Sequence, residues 1–228
     1  MLFDAGETLV HPAPSFPELF SRVLAREGHV RAPEEVVAAS ATVFHRFSEA
    51  ARDRDLWTTS PERSARFWKG VYELMLDALE LPGRDGLRDT IYATFTDLGN
   101  YALFDDVPPA LDALSPSGAI LGVVSNFEAW LEDLLARLGV RDRFPVRVIS
   151  GAVGIEKPDP AIWELAFARA GVTPEETAYV GDNPEFDVWP AEALGMTPVL
   201  IDRRGRFPNH AGARITDLRD LAATLEAA

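Results

Sequence analysis

The chain has 228 residues and no cysteine, and it carries 36 acidic against 22 basic side chains, a formal charge of −14. That length allows one large domain, or a domain with a sizeable insert, and suffices to bury a core without a disulfide or a structural zinc. The composition excludes thiol nucleophiles, thiolate-held metals, iron–sulfur clusters and disulfide frameworks, and it fits a reducing cytoplasm; the negative field argues against nucleic acid and anionic membrane surfaces as partners.

Leu2 and Phe3 predict a first strand that runs straight into Asp4, and Gly6, Thr8, Pro12 and Pro14 then read as a loop. Strands usually run ~5–6 residues, so a strand over Met1–Phe3 is expected to be clipped, with the natural start upstream. The opening residues lack the basic and apolar stretches of a secretory leader, and no apolar run approaches the ~18 residues of a membrane span. Residues 14–99 carry helical periodicity only. Leu19, Phe20, Val23 and Leu24 share one face, and Val36, Val37, Val43, Phe44 and Phe47 share another after the start signal Pro33-Glu34-Glu35. Ser60-Pro61-Glu62-Arg63 opens a helix carrying Phe67, Trp68, Val71, Tyr72, Met75 and Leu79, which Pro82-Gly83 ends; Leu87, Ile91 and Phe95 suggest one more. About four helices are expected here.

From residue 100 onward strands and helices alternate. Strands are predicted at Ala119–Val124, Val146–Ile149, Thr177–Val180 and Pro198–Ile201. Helices are predicted at Glu128–Leu138, at Ala161–Ala170 closed by Gly171, and at Asp187–Leu194 closed by Gly195. The alternation implies an α/β fold, a doubly wound parallel sheet built from residues 1–13 and 100–228, with an α-helical domain over 14–99 inserted after the first strand.

Four polar clusters follow the apolar strands: Asp4, Ser125-Asn126, Lys157-Pro158, and Gly181-Asp182-Asn183 with Asp187. Such positions line the ligand crevice at the carboxyl edge of a parallel sheet. Three carboxylates in one crevice repel one another unless a cation sits among them. An oxygen-only set suits Mg²⁺, which is held by one or two carboxylates together with substrate phosphate. Lys157 and Ser125 add a positive charge and a hydroxyl suited to a tetrahedral anion, and a carboxylate can attack that anion to give an acyl phosphate.

Phe3-Asp4-Ala5-Gly6-Glu7-Thr8-Leu9, Val124-Ser125-Asn126, Glu156-Lys157-Pro158-Asp159-Pro160 and Gly181-Asp182-Asn183 with Asp187 resemble the four motifs of the haloacid dehalogenase-like (HAD) hydrolase superfamily, in order and across essentially the whole chain. The helical insert lies where that superfamily carries a cap of the first type. The resemblance implies that Asp4 is nucleophile and metal ligand, and that the Gly6 carbonyl and Asp182 complete a Mg²⁺ site. It implies that Ser125, Asn126 and Lys157 hold phosphate, that Lys157 also orients Asp4, and that Asp187 positions a metal-bound water or Lys157.

The chain departs from the superfamily's phosphatases at two adjacent positions. Gly6 stands where a second aspartate usually serves as acid and base, and Glu7 stands where glycine is usual. Losing the acid costs about 10²–10⁴ in rate for a poor leaving group and little for an aryl or acyl phosphate. The leading expectation is a Mg²⁺-dependent phosphatase acting on a small phosphorylated metabolite through an aspartyl-phosphate. The alternatives are a catalytically weak relative that binds a phospho-ligand or a protein, favoured by Gly6, and a 2-haloacid dehalogenase, disfavoured by Asp182.

Other conspicuous residues receive plainer expectations. Glu7 and His11 are expected to face solvent, with Glu7, shifted by one residue, as the alternative supporting acid in place of the missing aspartate, and Trp68, Tyr72 and Met75 are expected to form the core of the insert. His45 lies on an insert helix, and Arg52, Arg54 and Trp57 at its end either face the crevice and select substrate or form a solvated helix end with one packed tryptophan. The run Arg203-Arg204-Gly205-Arg206 reads as an exposed loop rather than a nucleic-acid patch.

Overall fold

The computed structural model describes residues 1–43, 45–53, 56–81 and 85–226. Among these the strands are β1 (Leu2–Phe3), β2 (Val10–Pro12), β3 (Tyr101–Leu103), β4 (Gly122–Ser125), β5 (Val146–Ile149), β6 (Ala178–Gly181), β7 (Thr197–Ile201) and β8 (Arg214–Ile215). The helices are α1 (Phe16–Arg26), α2 (Pro33–Val43), α3 (His45–Asp53), α4 (Pro61–Ala78), α5 (Asp85–Phe95), α6 (Val107–Leu114), α7 (Leu131–Arg137), α8 (Ser150–Val153), α9 (Ala161–Ala170), α10 (Trp189–Ala193) and α11 (Leu221–Glu226). The chain divides into two units, Met1–Val10 with Leu103–Ala228, and His11–Ala102. The two crossings between them, β2 and β3, pair as a two-stranded sheet.

The first unit is built on a six-stranded parallel sheet of order β5-β4-β1-β6-β7-β8. β1 lies at its centre, with Phe3 in register with Val123 on one side and Val180 on the other. Both flanks of this sheet are covered, so its central strands are apolar throughout: Leu2, Phe3, Val123, Val124, Tyr179 and Val180 are all essentially inaccessible. The helix α9 lays Ile162, Trp163 and Ala166 onto a core with Leu2, Val124, Val148 and Tyr179, and the Trp163 ring meets the Tyr179 ring edge-on at 5.8 Å. Strand order reverses around β1, which puts the switch point of the sheet, and with it the ligand crevice, next to Asp4.

Strand limits follow their partners rather than hydrophobicity. The apolar run Ala119–Val124 becomes a strand only from Gly122, because β1 offers two residues and β5 four for pairing. Ile120 is left 41% exposed, its carbonyl accepting a hydrogen bond from the α-amino group of Met1 at 2.7 Å. The expected helix Asp187–Leu194 is present as α10 (Trp189–Ala193), entered through a π-helical turn, Pro184–Val188, that starts before it.

Among the described residues the second unit carries the helical segments α1–α5. The stretch expected as helical through Val36 and Phe47 is helical over α2 and α3, and Phe44 lies outside the described residues, as do Pro82 and Gly83. Ser15 and Ser60 cap α1 and α4 by accepting the N–H groups of Glu18 and Arg63, with proline second in α1 (Pro17) and first in α4 (Pro61). Leu19, Phe20, Val23 and Leu24 are buried as their spacing predicts, whereas Val37 is exposed. Phe16, Phe20, Tyr72 and Phe95 form one aromatic cluster. Phe47, Trp57, Phe67 and Trp68 form another, joined to the first by Trp68 stacking on Tyr72. Among the described residues no helix is long and apolar enough to cross a membrane.

Candidate active site

Asp4 leaves the central strand with its N–H held by the Val180 carbonyl at 2.8 Å, so its side chain stands at the carboxyl edge of the sheet. Ser125 ends the neighbouring strand β4, and its Oγ donates to Asp4 Oδ1 at 2.9 Å. Lys157 Nζ donates to the same oxygen at 2.8 Å. Asp4, Ser125 and Lys157 are all buried, and Oδ2 of Asp4 receives neither donor.

Lys157 is gripped on three sides. Its ammonium also donates to Asp187 Oδ1 at 2.5 Å and to the Tyr179 hydroxyl at 3.0 Å. That hydroxyl donates in turn to the Val124 carbonyl at 2.8 Å. Burial acts to depress the ammonium pKa, but Asp187 and Asp4 overcome it and hold Lys157 well above its ordinary value. The backbone of Lys157 is fixed as firmly: its N–H donates to Asn126 Oδ1 at 2.6 Å, and Asn126 Nδ2 donates to its carbonyl at 2.8 Å. The Asn126 amide is thereby spent on placing Lys157.

Asp187 reaches the lysine because the wide turn Pro184–Val188 folds it back over the end of β6. Its Oδ2 accepts the Asn183 N–H at 3.0 Å, and its carboxyl packs on Gly181 so closely that a Cβ there would lie 2.3 Å from Asp187 Cγ. Only glycine fits at that strand end.

Oxygens of Asp4, Asp182 and Asp187 all lie within 4.8 Å of one another. Burial, followed by the charges of Asp187 and Asp4, pushes the Asp182 carboxyl up to about 7, against the pull of Arg206. Three carboxylates around one buried ammonium carry an excess of negative charge, and the donors are hard oxygens. This set fits a Mg²⁺ ion, which the two carboxylates Asp4 and Asp182 would hold.

One expectation for the surrounding loops needs correction and another needs detail. Glu7 does not face solvent freely: its carboxylate pairs with Arg204 at 2.7 Å, and its backbone sits in the left-handed region at φ 55°. The run Arg203–Arg206 is exposed at Arg204, Gly205 and Arg206 as expected, while Arg203 is half-buried. Arg203 makes a two-pronged ion pair with buried Asp106 at 2.7 and 3.0 Å, donates to the Thr8 carbonyl at 2.8 Å, and covers the Phe104 ring at 3.8 Å. Arg206 Nη2 reaches Asp182 Oδ2 at 2.6 Å. Sequence reasoning missed these arginines because an arginine run beyond a strand looks the same whether solvated or folded back. It missed Tyr179 because a tyrosine in an apolar strand reads as core; the only signal was a hydroxyl in an otherwise apolar stretch.

In the helical unit Trp57 is buried and stacked on Phe67 at 5.0 Å, and Tyr72 and Met75 are core as expected, with Trp68 half-buried. His45 and Arg52 are exposed within that unit, His11 is half-buried, and Arg54 lies outside the described residues.

A buried lysine thus faces a carboxylate trio at the switch point of a parallel sheet, with a helical insert after the first strand. The chain belongs to the haloacid dehalogenase-like hydrolases, whose family model matches residues 1–195. It is 30% identical to the phosphoserine phosphatase of Thermus thermophilus, across 97% of this chain and 96% of that one. Among solved structures it resembles the 2-haloacid dehalogenase of Pseudomonas syringae, at 25% identity and a TM-score of 0.61 over 99% of this chain and 97% of that one. It shares its fold with a magnesium-bound HAD-hydrolase of Bacillus subtilis, at 17% identity and a TM-score of 0.76 over 98% and 96% of the two chains.

Proposed function

We propose that this hydrolase is a Mg²⁺-dependent phosphatase of small phosphorylated metabolites that works through an aspartyl-phosphate on Asp4. The observation that carries the reading is the arrangement at Asp4: Oδ1 is fixed by Ser125 and Lys157, which leaves Oδ2 as the attacking atom. A carboxylate whose other oxygen is held in this way is oriented for attack before substrate arrives. Lys157 neutralises charge beside the phosphoryl oxygens while Asp187 and Tyr179 keep its ammonium in place. Bound Mg²⁺ would supply Lewis-acid neutralisation of the phosphoryl group, held by Asp4, Asp182 and the Gly6 carbonyl. In the first step a bond forms between Asp4 Oδ2 and phosphorus, and the bond to the leaving oxygen breaks. In the second, water attacks phosphorus and Asp4 is regenerated. Gly6 supplies no proton to the leaving oxygen, so substrates with low-pKa leaving groups are preferred.

Release of p-nitrophenol from p-nitrophenyl phosphate, with and without Mg²⁺ and beside Asp4→Asn, tests the reading. Magnesium-dependent turnover that vanishes in Asp4→Asn is expected; no turnover from folded, metal-loaded protein overturns it. Gly6 favours a second reading, a 2-haloacid dehalogenase in which Asp4 attacks carbon. Halide release that survives chelation would select it.

A further inference from the structure

Buried Asp202 builds the connection between β7 and β8. Its carboxylate accepts the N–H groups of Arg206 and Phe207 at 2.8 and 3.0 Å and the Arg214 Nε at 3.0 Å. With Arg203 tied to Asp106 and Thr8, this turn holds the Arg206 backbone in one place. From there the guanidinium passes the Phe207 ring at 5.5 Å and ends on Asp182 Oδ2. Asp182 is the one carboxylate of the trio that Lys157 does not reach. Each end of the acidic cluster therefore has its own cation from the chain: Lys157 for Asp4 and Asp187, Arg206 for Asp182.

We propose that Arg206 is a displaceable counter-cation of the acidic trio, which a divalent ion must move off Asp182 in order to bind. The inference rests on the metal reading given above. A divalent ion on Asp182 would place two more positive charges beside a guanidinium already 2.6 Å from that carboxylate, and like charges at such separations repel strongly. Lys157 is buried and cannot yield, whereas the Arg206 side chain is 38% exposed and has solvent to move into. The arginine offsets part of the cluster's negative charge while metal is absent and lowers the affinity for metal as a consequence.

The test is direct titration of Mn²⁺ into the full chain by calorimetry at pH 8, with no substrate present. Arg206→Gln is expected to tighten Mn²⁺ binding about fivefold, the upper range for a partly exposed ion pair. Arg206→Met, which keeps an apolar stem beside Phe207, is expected to do the same. Arg206→Lys retains the charge, and Arg204→Gln removes a cation paired with Glu7 outside the trio; both should bind Mn²⁺ within about twofold of the unaltered protein, inside the range of a weak surface pair. Binding in Arg206→Gln and Arg206→Met that is no tighter than in the unaltered chain overturns this inference alone. Absence of Mn²⁺ binding to the unaltered chain, or binding that Asp182→Asn leaves intact, overturns the metal reading and this inference with it.

Discussion

Gly6 and Glu7 hold opposite backbone requirements in adjacent positions. A Cβ built on Gly6 meets only the Phe127 ring, at 3.8 Å, an ordinary van der Waals distance, so this glycine is not demanded by space. Gly6→Asp should therefore fold as the native chain does and raise kcat/KM for alkyl phosphates by about 10²-fold, with little change for aryl phosphates; equal effects on both would show that no acid was installed. Glu7, by contrast, stands at φ 55° where an L side chain is strained, and its exposed pair with Arg204 returns little. Glu7→Gly relieves roughly 1 kcal/mol of backbone strain and forfeits a surface ion pair worth about 0–1 kcal/mol. Unfolding in urea is expected to show stability unchanged or slightly raised. Lys157 is the costliest side chain to remove: Lys157→Met strands Asp4 and Asp187 without their cation, a loss of about 3–5 kcal/mol. The double variant with Asp187→Asn should recover part of that loss in the same measurement.

At the scale of elements, the turn Pro184–Val188 does more than start a helix. It delivers Asp187 under the lysine, and Gly181 leaves the room. Gly181→Ala is expected to drive Asp187 away, lowering stability and slowing turnover together; normal activity would mean that Asp187 is not needed where it lies. The motif residues Asp4, Ser125, Lys157 and Asp187 were legible in the sequence because each follows an apolar strand, and parallel pairing gathers all such positions at one edge. The limits of those strands were not legible. β4 begins at Gly122 because the two residues of β1 and the four of β5 offer no earlier partner, and pairing length is a property of neighbours distant in the chain. The roles of Tyr179 and Arg203 were hidden for the same reason: a tyrosine in a strand and an arginine in a loop acquire meaning only from Lys157 and Thr8, far away in sequence.

For the molecule as a whole, charge couples the site to stability. The Asp182 carboxyl is raised from an ordinary 3.8 to about 7 by burial and by Asp187 and Asp4. A raised carboxyl pKa means that the folded state binds the proton more tightly than the unfolded state. This contribution is therefore present at low pH and is lost as pH rises from about 4 through 7. In EDTA, the Tm of the native chain relative to Asp182→Asn should fall between pH 5 and pH 8, and Mg²⁺ should restore it at pH 8. A Tm difference that stays flat with pH would contradict the assignment of Asp182 as the strained member of the trio.

The central position of β1 has a consequence for how the polypeptide assembles. Leu2 pairs with Gly122 on one side and with Tyr179 on the other, so the strand that leads into Asp4 is made well before the neighbours it needs. Helices α1–α5 need only near-neighbour contacts, which close quickly, whereas β1 has to wait across more than a hundred residues for β4 and longer for β6. Asp4 is thus the earliest residue of the site to be synthesised and, through its strand, among the last to be fixed in place. Until then Leu2 and Phe3 are an uncovered apolar segment on a growing chain, open to chaperones and to pairing with the wrong edge.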